Sequence, residues 1–199
     1  ELVLSESDRG YAFDFRPDSR QIAMADNEGR MHFHALPEGH AVRVLDLSRT
    51  QCLVSFHPAG TKLAVCGCRS PLVQIVDATS GQLEGEFRHP ARINGLAWSP
   101  DGSRLACACY DSRVYVWEAG TGLTNAVLQG HNAAAMTVAF DRSGDMLVSY
   151  GWDNATRFWD MRLREQMLSV PGEWMSLPFM SEVAALGFKL HDVAAGLWQ

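Results

Sequence analysis

The chain has 199 residues, of which 47% are hydrophobic and 20% are charged, the balance of a soluble globular protein with enough residues for a sizeable core. Its formal net charge of −6 at pH 7, with the basic residues scattered, argues against binding to nucleic acid or to an anionic membrane through charge. No apolar run reaches the roughly 18 residues of a membrane-spanning helix, and the first residues lack the pattern of a secretory signal.

One pattern occurs four times along the chain. A short strand-like segment has an aromatic residue near its end, and a turn follows it. These segments are Phe13–Ser19, Val54–Gly60, Leu96–Gly102 and Val138–Gly144. Pro17, Pro58 and Pro100 follow one another at intervals of 41 and 42 residues, and Arg142 takes the proline position 42 residues further on. Proline ends a strand, and the turn residues that follow reverse the chain. The sequence therefore predicts a repeating β unit of about 42 residues.

Each repeat then closes with another short apolar segment. These closing segments are Met31–Ala35, Val73–Asp77, Val114–Glu118 and Thr156–Asp160. The sequences at 78–81 and 119–122 predict hairpin turns into a fourth strand. Fourth strands are expected at Ala41–Leu45, Leu83–Phe87, Asn125–Leu128 and Gln166–Val170. Each unit is therefore predicted to be a four-stranded antiparallel sheet in an all-β protein.

The most regular unit is 130–160, in which three alternating runs are separated by two turns. It resembles a WD-repeat (WD40) unit through residues at the spacing of that family, namely Gly130, His131, Ser149, Asp153, Trp159 and Asp160. The resemblance implies a β-propeller built from four-stranded antiparallel blades. The style of the repeats is similar to that of large bacterial WD40 proteins, some of which carry the repeats behind a serine/threonine kinase domain. No kinase motif occurs in this sequence.

About five blades are expected, four complete and one partial. Their expected boundaries are 8–46, 47–88, 89–129, 130–170 and, for the partial blade, 171–199. Asp192 and Trp198 repeat the spacing of Asp153 and Trp159, and residues 1–7 are expected to be the outer strand of a preceding or closing blade. Propellers of the family usually have more blades, which favours a fragment of a larger propeller. A closed propeller that combines strands from both ends of the chain fits the same pattern.

The resemblance also implies a structural hydrogen-bonded tetrad in the fourth blade, formed by His131, Ser149, Asp153 and Trp159. The third blade repeats the spacing as His89, Cys107, Asp111 and Trp117, and its network is expected to be weaker because a thiol replaces the hydroxyl. Serine, histidine and aspartate are also the residue types of a nucleophilic triad. No Gly-x-Ser-x-Gly sequence accompanies them, so no catalytic residue is predicted and the protein is not expected to be an enzyme.

The five cysteines are interpreted as reduced packing residues. The pairs Cys66/Cys68 and Cys107/Cys109 are predicted to occupy equivalent places in neighbouring blades, each within a strand that turns both thiols to one face. Neither these thiols nor the histidines show the spacing of a metal site, so no metal and no cofactor are expected. Reduced thiols favour a cytoplasmic location.

In the family, partners usually dock on the top face of the propeller. Carried over by spacing, the candidate contact residues are Trp152, Tyr110, Arg92, Asn94, Met136, Tyr11, Arg69 and Asn27. Tyr110, Trp152, Arg92 and Met136 would lie on adjacent blades and form one patch of the residue types that dominate binding hot spots. The alternative for Trp152 is that it only packs over its own hairpin.

The function predicted from these residues is that of a scaffold or recruitment module that binds a protein or peptide on the top face, with no nucleic acid or membrane partner. The alternative is a sensory or regulatory segment of a larger bacterial protein such as a serine/threonine kinase fusion. An enzyme with a propeller fold is disfavoured, because no acid/base or metal constellation converges at the loop positions.

Overall fold

The structure, a computed structural model, describes residues 12–26, 28–47, 51–67 and 69–171. Within these ranges the chain forms sixteen strands and no helix, so no helix there is long and apolar enough to cross a membrane. Tyr11, Asn27, the strand expected at 1–7 and the partial blade expected at 171–199 lie outside the described residues, apart from Pro171.

The sixteen strands form four sheets of four antiparallel strands, each in chain order from β1–β4 to β13–β16. The first sheet contains β1 (Ala12–Phe15), β2 (Gln21–Ala25), β3 (Arg30–Ala35) and β4 (Ala41–Asp46). The second contains β5 (Gln51–Phe56), β6 (Lys62–Gly67), β7 (Leu72–Asp77) and β8 (Leu83–Arg88). The third contains β9 (Ile93–Trp98), β10 (Arg104–Cys109), β11 (Arg113–Glu118) and β12 (Thr124–Gln129). The fourth contains β13 (Ala135–Phe140), β14 (Met146–Gly151), β15 (Ala155–Asp160) and β16 (Glu165–Pro171).

The predicted turn chemistry explains where the first hairpin of sheets two to four reverses. Gly60, Gly102 and Gly144 close these turns with φ angles of 71°, 71° and 75°, which glycine adopts without steric cost. Their amides donate to the carbonyls of His57, Ser99 and Asp141 at 2.7, 2.8 and 3.2 Å. The repeat of about 42 residues is therefore one sheet of the fold.

The sheets pack face to face, with an apolar cluster between each consecutive pair. The first strands of the sheets, β1, β5, β9 and β13, lie side by side, each next to the first strand of the following sheet. Central strands such as β10 are buried on both faces, whereas the outer strand β4 is exposed along much of its length. This arrangement confirms the predicted all-β architecture of antiparallel four-stranded blades.

The register corrects one predicted equivalence between the cysteines. Cys107 pairs with Leu96, and the residue in the same position of the second sheet is Val65, which pairs with Val54. Cys66 is one position further on and faces the third sheet. The β6–β7 hairpin has one residue more than the β10–β11 hairpin. Counting residues back from the third strand of each sheet therefore selects Cys66 in place of Val65 as the counterpart of Cys107.

As a result, Cys66, Cys107 and Cys109 share the apolar cluster between sheets two and three. All three are free and buried. Burial raises the pKa of Cys66 to about 12 and raises the pKa values of Cys107 and Cys109 as well. Thiols with such pKa values are protonated and unreactive near neutral pH, as packing residues are.

Side-chain bonds to the neighbouring backbone fix the sheets against one another. The Trp98 indole N–H donates to the Ser55 carbonyl at 3.2 Å, and the Phe56 amide donates to Asp14 at 2.7 Å. The Asn94 amide group donates to the Ala135 carbonyl at 2.8 Å. Each bond joins one first strand to the next, so the first strands hold neighbouring sheets in register.

We predict that Gly95→Ala lowers the free energy of unfolding by about 1–3 kcal/mol. A Cβ at Gly95 would lie 2.9 Å from the Met136 carbonyl oxygen and 3.0 Å from the Thr137 Cα, both main-chain atoms that move only if β9 and β13 separate. Urea denaturation measures the effect. Gly85→Ala on β8 is the control, because its Cβ would have no atom within 4 Å. Equal effects of the two substitutions would contradict the close approach of the two strands.

Candidate binding surface

A chain of hydrogen bonds joins four side chains of the fourth sheet. The Trp159 indole N–H donates to the Ser149 hydroxyl at 2.9 Å. The same hydroxyl lies 2.8 Å from Nε2 of His131, and Nδ1 of His131 lies 2.9 Å from Oδ1 of Asp153. In a neutral imidazole the Ser149 hydroxyl donates to Nε2 and the Nδ1–H donates to the Asp153 carboxylate. These four residues, which the sequence spacing selected, are called the fourth-sheet tetrad.

The charge states of the fourth-sheet tetrad follow from its surroundings. Burial disfavours the imidazolium and lowers the pKa of His131, against the influence of Asp153. Burial also opposes the charged form of Asp153, but hydrogen bonds from the Asn132 amide and from His131 outweigh it, so the pKa of Asp153 is lowered. The Asp153 carboxylate also accepts a bond of 2.8 Å from the buried Arg157. At neutral pH the pair is therefore a neutral histidine on a charged aspartate that Arg157 neutralises.

The fourth-sheet tetrad lies inside the protein. Ser149 has no exposed surface, so a substrate does not reach its hydroxyl. The side chains of His131 and Asp153 are only 1% and 9% exposed. The arrangement fixes the start of β13 to the β14–β15 hairpin, because His131 precedes β13 and Asp153 lies in the turn. Its chemistry is that of a satisfied buried polar network.

The corresponding residues of the third sheet do not form such a chain. Among the described residues, Nε2 of His89 and the indole N–H of Trp117 have no hydrogen-bond partner. Nδ1 of His89 lies 3.6 Å from the Cys109 sulfur, and Asp111 accepts instead from the Tyr115 hydroxyl at 2.7 Å. The sequence predicted a weaker network here because Cys107 replaces the serine, but the missing His89–Asp111 bond has a different origin.

That origin is the residue two positions before the aspartate. In the fourth sheet it is Gly151, where a Cβ would lie 2.6 Å from Nδ1 of His131 and 2.8 Å from Oδ1 of Asp153. In the third sheet the same position is Cys109, whose side chain takes the imidazole contact. A side chain at this position therefore separates the histidine from the aspartate.

The first sheet contains a polar cluster that the sequence reasoning missed. The buried Asp26 accepts from the Arg30 Nε at 2.7 Å and lies 2.7 Å from Nε2 of His32. Burial opposes its charge, but hydrogen bonds from His32 and Arg30 hold the pKa of Asp26 well below its usual value. In the first sheet the counterpart of Asp153 is Glu28, so the spacing that selects the fourth-sheet tetrad does not select Asp26.

Three of the predicted contact residues meet on the top face, the end of the sheets that carries the β10–β11 and β14–β15 turns. The Tyr110 and Trp152 rings pack edge to face with their centroids 5.8 Å apart. The Arg92 guanidinium lies over the Tyr110 ring, 4.0 Å from its centroid. Tyr110 and Trp152 are 47% and 55% exposed. The two exposed rings and the half-buried Arg92 form a continuous surface across sheets three and four, called the Arg92–Tyr110–Trp152 surface.

Backbone hydrogen bonds fix this surface. The Tyr110 amide donates to the Arg92 carbonyl and the Trp152 amide donates to the Ala134 carbonyl, both at 2.9 Å. The register shifts beside both bonds, at Cys109 in β10 and before Thr137 in β13. Bulges of this kind redirect the strand ends, and here they lie beside both exposed rings.

The other predicted contact residues have different surroundings. Asn94 uses its amide group in the bond between β9 and β13, so it acts first as a link between sheets. Met136 is half-buried in the β13 bulge. Arg69 is exposed, with a φ of 60°, in the longer β6–β7 turn.

Metal-ligating side chains and cavities were the other features considered for a site in the described residues. No group of three or more His, Cys, Asp or Glu side chains in these ranges is placed to hold a metal ion. A cavity of about 450 Å³ lies at the opposite end of sheets two and three, beside Trp98. Two of its charged groups already have partners. Lys62 forms an ion pair with Glu84 at 2.8 Å, and Asp101 accepts a hydrogen bond from the Ser103 hydroxyl at 2.7 Å.

Comparison with known proteins agrees with this geometry. The family model of the WD domain, G-beta repeat, matches residues 81–118 and 122–160. Two stretches of the chain thus match the model of the WD40 repeat. The matched stretches run from the outer strand of one blade to the third strand of the next, so they include β9–β11 and β13–β15.

Several eukaryotic proteins with curated descriptions are similar to this chain. Transducin beta-like protein 3 of Rattus norvegicus is 29% identical over 197 residues, which cover 93% of this chain and 24% of that protein. Pre-mRNA-processing factor 19 of Caenorhabditis elegans is 25% identical over 182 residues, covering 82% of this chain and 37% of that protein. The Periodic tryptophan protein 2 homolog of Schizosaccharomyces pombe is 30% identical over 99 residues, covering 47% and 12%. The chain thus spans between 12% and 37% of the length of these relatives.

We predict that Gly151→Ala lowers the free energy of unfolding by about 1–3 kcal/mol, because the new methyl group forces His131 away from Asp153 and leaves buried polar groups unpaired. Urea denaturation measures the change. Gly120→Ala serves as the control, since a Cβ at that turn position meets nothing within 4 Å. A Gly151→Ala protein as stable as the control would show that the His131–Asp153 bond does not hold the hairpin.

The buried His89 predicts a loss of stability in mild acid. Burial lowers the pKa of His89 to about 4, against the influence of Asp111, whereas an unfolded histidine has a pKa of about 6.5. Between these two values the unfolded chain binds a proton that the folded chain excludes, so stability falls as the pH drops from about 6.5 to about 4, by at most roughly 3 kcal/mol. Urea denaturation across this range, compared with His89→Gln, measures the contribution. The variant is expected to show a shallower pH dependence, and an unchanged slope would refute the assignment.

Proposed function

We propose that this chain is a scaffold or recruitment module that binds a segment of a partner protein on its top face. The observation that carries the proposal is the Arg92–Tyr110–Trp152 surface, in which two exposed rings and a guanidinium converge from two sheets. Aromatic and arginine side chains are the residues most enriched in binding hot spots. WD40 domains typically bind proteins, which agrees with this use of the surface.

The rigidity of the surface supports the same function. Trp152 adjoins Asp153, which the fourth-sheet tetrad holds, and its own amide is bonded to Ala134. With its backbone fixed in this way, only the side chain has to lose conformational freedom when a partner covers it. The alternative for Trp152 is packing over its own hairpin, but the residue is 55% exposed and its ring has an edge contact with Tyr110 of the neighbouring sheet.

A second candidate is a regulatory segment of a larger protein, which is favoured because the relatives are several times longer than the part that this chain matches. The finer form of that idea, a bacterial protein with a kinase domain, has less support because the relatives described above are eukaryotic. The proposal places the protein in a reducing compartment such as the cytoplasm, as the buried free thiols of Cys66, Cys107 and Cys109 suit.

Selection of peptides from a random phage-displayed library tests the proposed function. We predict that peptides selected by the unaltered chain bind a Tyr110→Ala/Trp152→Ala double variant at least about tenfold more weakly, because both rings of the hot spot are removed. The double variant is expected to keep its melting temperature, since both rings are about half exposed.

Leu123→Ala provides the matched control, because Leu123 is 65% exposed and precedes β12 at the opposite end of the sheets. This variant is expected to bind the selected peptides unchanged. If every selected peptide binds the double variant as tightly as the unaltered chain, the top face is not the binding surface.

A further inference from the structure

Arg92 carries a positive charge without a carboxylate partner among the described residues. Its guanidinium contacts the Tyr110 ring, and its Nε is buried without a hydrogen-bond partner in that part of the chain. The contact with the ring holds the guanidinium in place, while its Nε–H has no acceptor in the described part of the chain. Such a group is prepared to bind an anion, because guanidinium pairs with carboxylate or phosphate through two parallel hydrogen bonds.

The nearby acidic side chains do not compensate this charge. Asp111 is bonded to Tyr115 and Arg113, and Asp153 is bonded within the fourth-sheet tetrad and to Arg157. Asp111 is thus bonded within its own hairpin, and Asp153 to its own hairpin and to the residues before β13. Although the whole chain has a net charge of −6, the half-buried Arg92 places a positive charge against the Tyr110 ring.

A second arginine lies on the neighbouring turn. The Ile93 amide donates to the Ser70 carbonyl at 3.1 Å, which joins the β6–β7 turn to the residue after Arg92. Arg69, in that turn, is exposed, and no ion pair with a described residue was found for it. The top face therefore presents two arginines on one side of the exposed aromatic pair.

We propose that the Arg92–Tyr110–Trp152 surface recognises an anionic side chain that adjoins an apolar one in a short segment of the partner protein. This inference rests on the proposed function and specifies its ligand. The anionic group pairs with Arg92, with Arg69 adding to the attraction, and the apolar neighbour packs against the exposed face of Trp152. Carboxylate and phosphate share the required chemistry, since both accept two hydrogen bonds from one guanidinium.

The experiment uses the peptides selected from the random library. The sequences are expected to be enriched in Asp or Glu next to an apolar residue. One selected peptide is then synthesised in three forms, with Asp, phosphoserine or Asn at the enriched position, and binding is measured by titration calorimetry. We predict that the Asn form and the Arg92→Gln variant each weaken binding about tenfold, and that the two changes together weaken it no further than either alone.

Arg88→Gln, an exposed arginine on the outer strand β8, is the matched control and is expected to leave binding unchanged. Arg92→Lys is measured as well. This variant keeps the positive charge, so it tests the inference even if Arg92→Gln lowers the melting temperature. Its affinity for the Asp form of the peptide is expected to lie between that of the unaltered chain and that of Arg92→Gln.

Each outcome decides the inference. Tighter binding of the phosphoserine form assigns the site to phosphate, tighter binding of the Asp form assigns it to carboxylate, and both support the inference. Peptides that depend on Trp152 but show no acidic enrichment and bind Arg92→Gln normally overturn it and leave the proposed function intact. Peptides that bind independently of Trp152 and Tyr110 overturn both.

Discussion

The hydrogen bond between His131 and Asp153 is the interaction on which the fourth sheet and its exposed surface depend. It joins the residues before β13 to the β14–β15 turn, and the chain through Ser149 to Trp159 extends this link into the buried centre of the sheet. The bond requires a residue without a side chain at Gly151, because any Cβ there would enter the space between the two partners. Trp152 lies between that glycine and Asp153, so the same constraint fixes where its ring is presented.

The third sheet shows what happens when that constraint is lifted. Cys109 takes the glycine position, His89 turns to its sulfur, and Asp111 binds Tyr115 instead. The hairpin still presents Tyr110 at the same end of the fold, because the backbone bond from its amide to Arg92 is kept. Two different polar arrangements therefore support one continuous surface. Close packing of β9 against β13, with Gly95 against the Met136 carbonyl, brings the two halves of that surface together.

The repeat length and the turn chemistry made the four-stranded sheets predictable from sequence, because proline and glycine act locally and recur at a fixed interval. The position of Cys66 was not predictable by spacing, since one extra residue in the β6–β7 turn moves it to the opposite face. The cluster around Asp26 was missed because it lies outside the family pattern. The sequence predicted from their positions that Arg92, Tyr110 and Trp152 lie together. The contact of Arg92 with the Tyr110 ring and its lack of a carboxylate partner among the described residues depend on side-chain geometry, which residue spacing does not predict.

The most direct test of a binding surface on the top face is a nitrogen-15 NMR titration that follows the tryptophan indole N–H signals as a selected peptide is added. Trp152 lies on the top face, and Trp98 lies at the opposite end with its indole bonded to the Ser55 carbonyl. Binding at the Arg92–Tyr110–Trp152 surface predicts that the Trp152 signal shifts with peptide concentration while the Trp98 signal stays in place. A titration in which Trp98 shifts and Trp152 does not would contradict it.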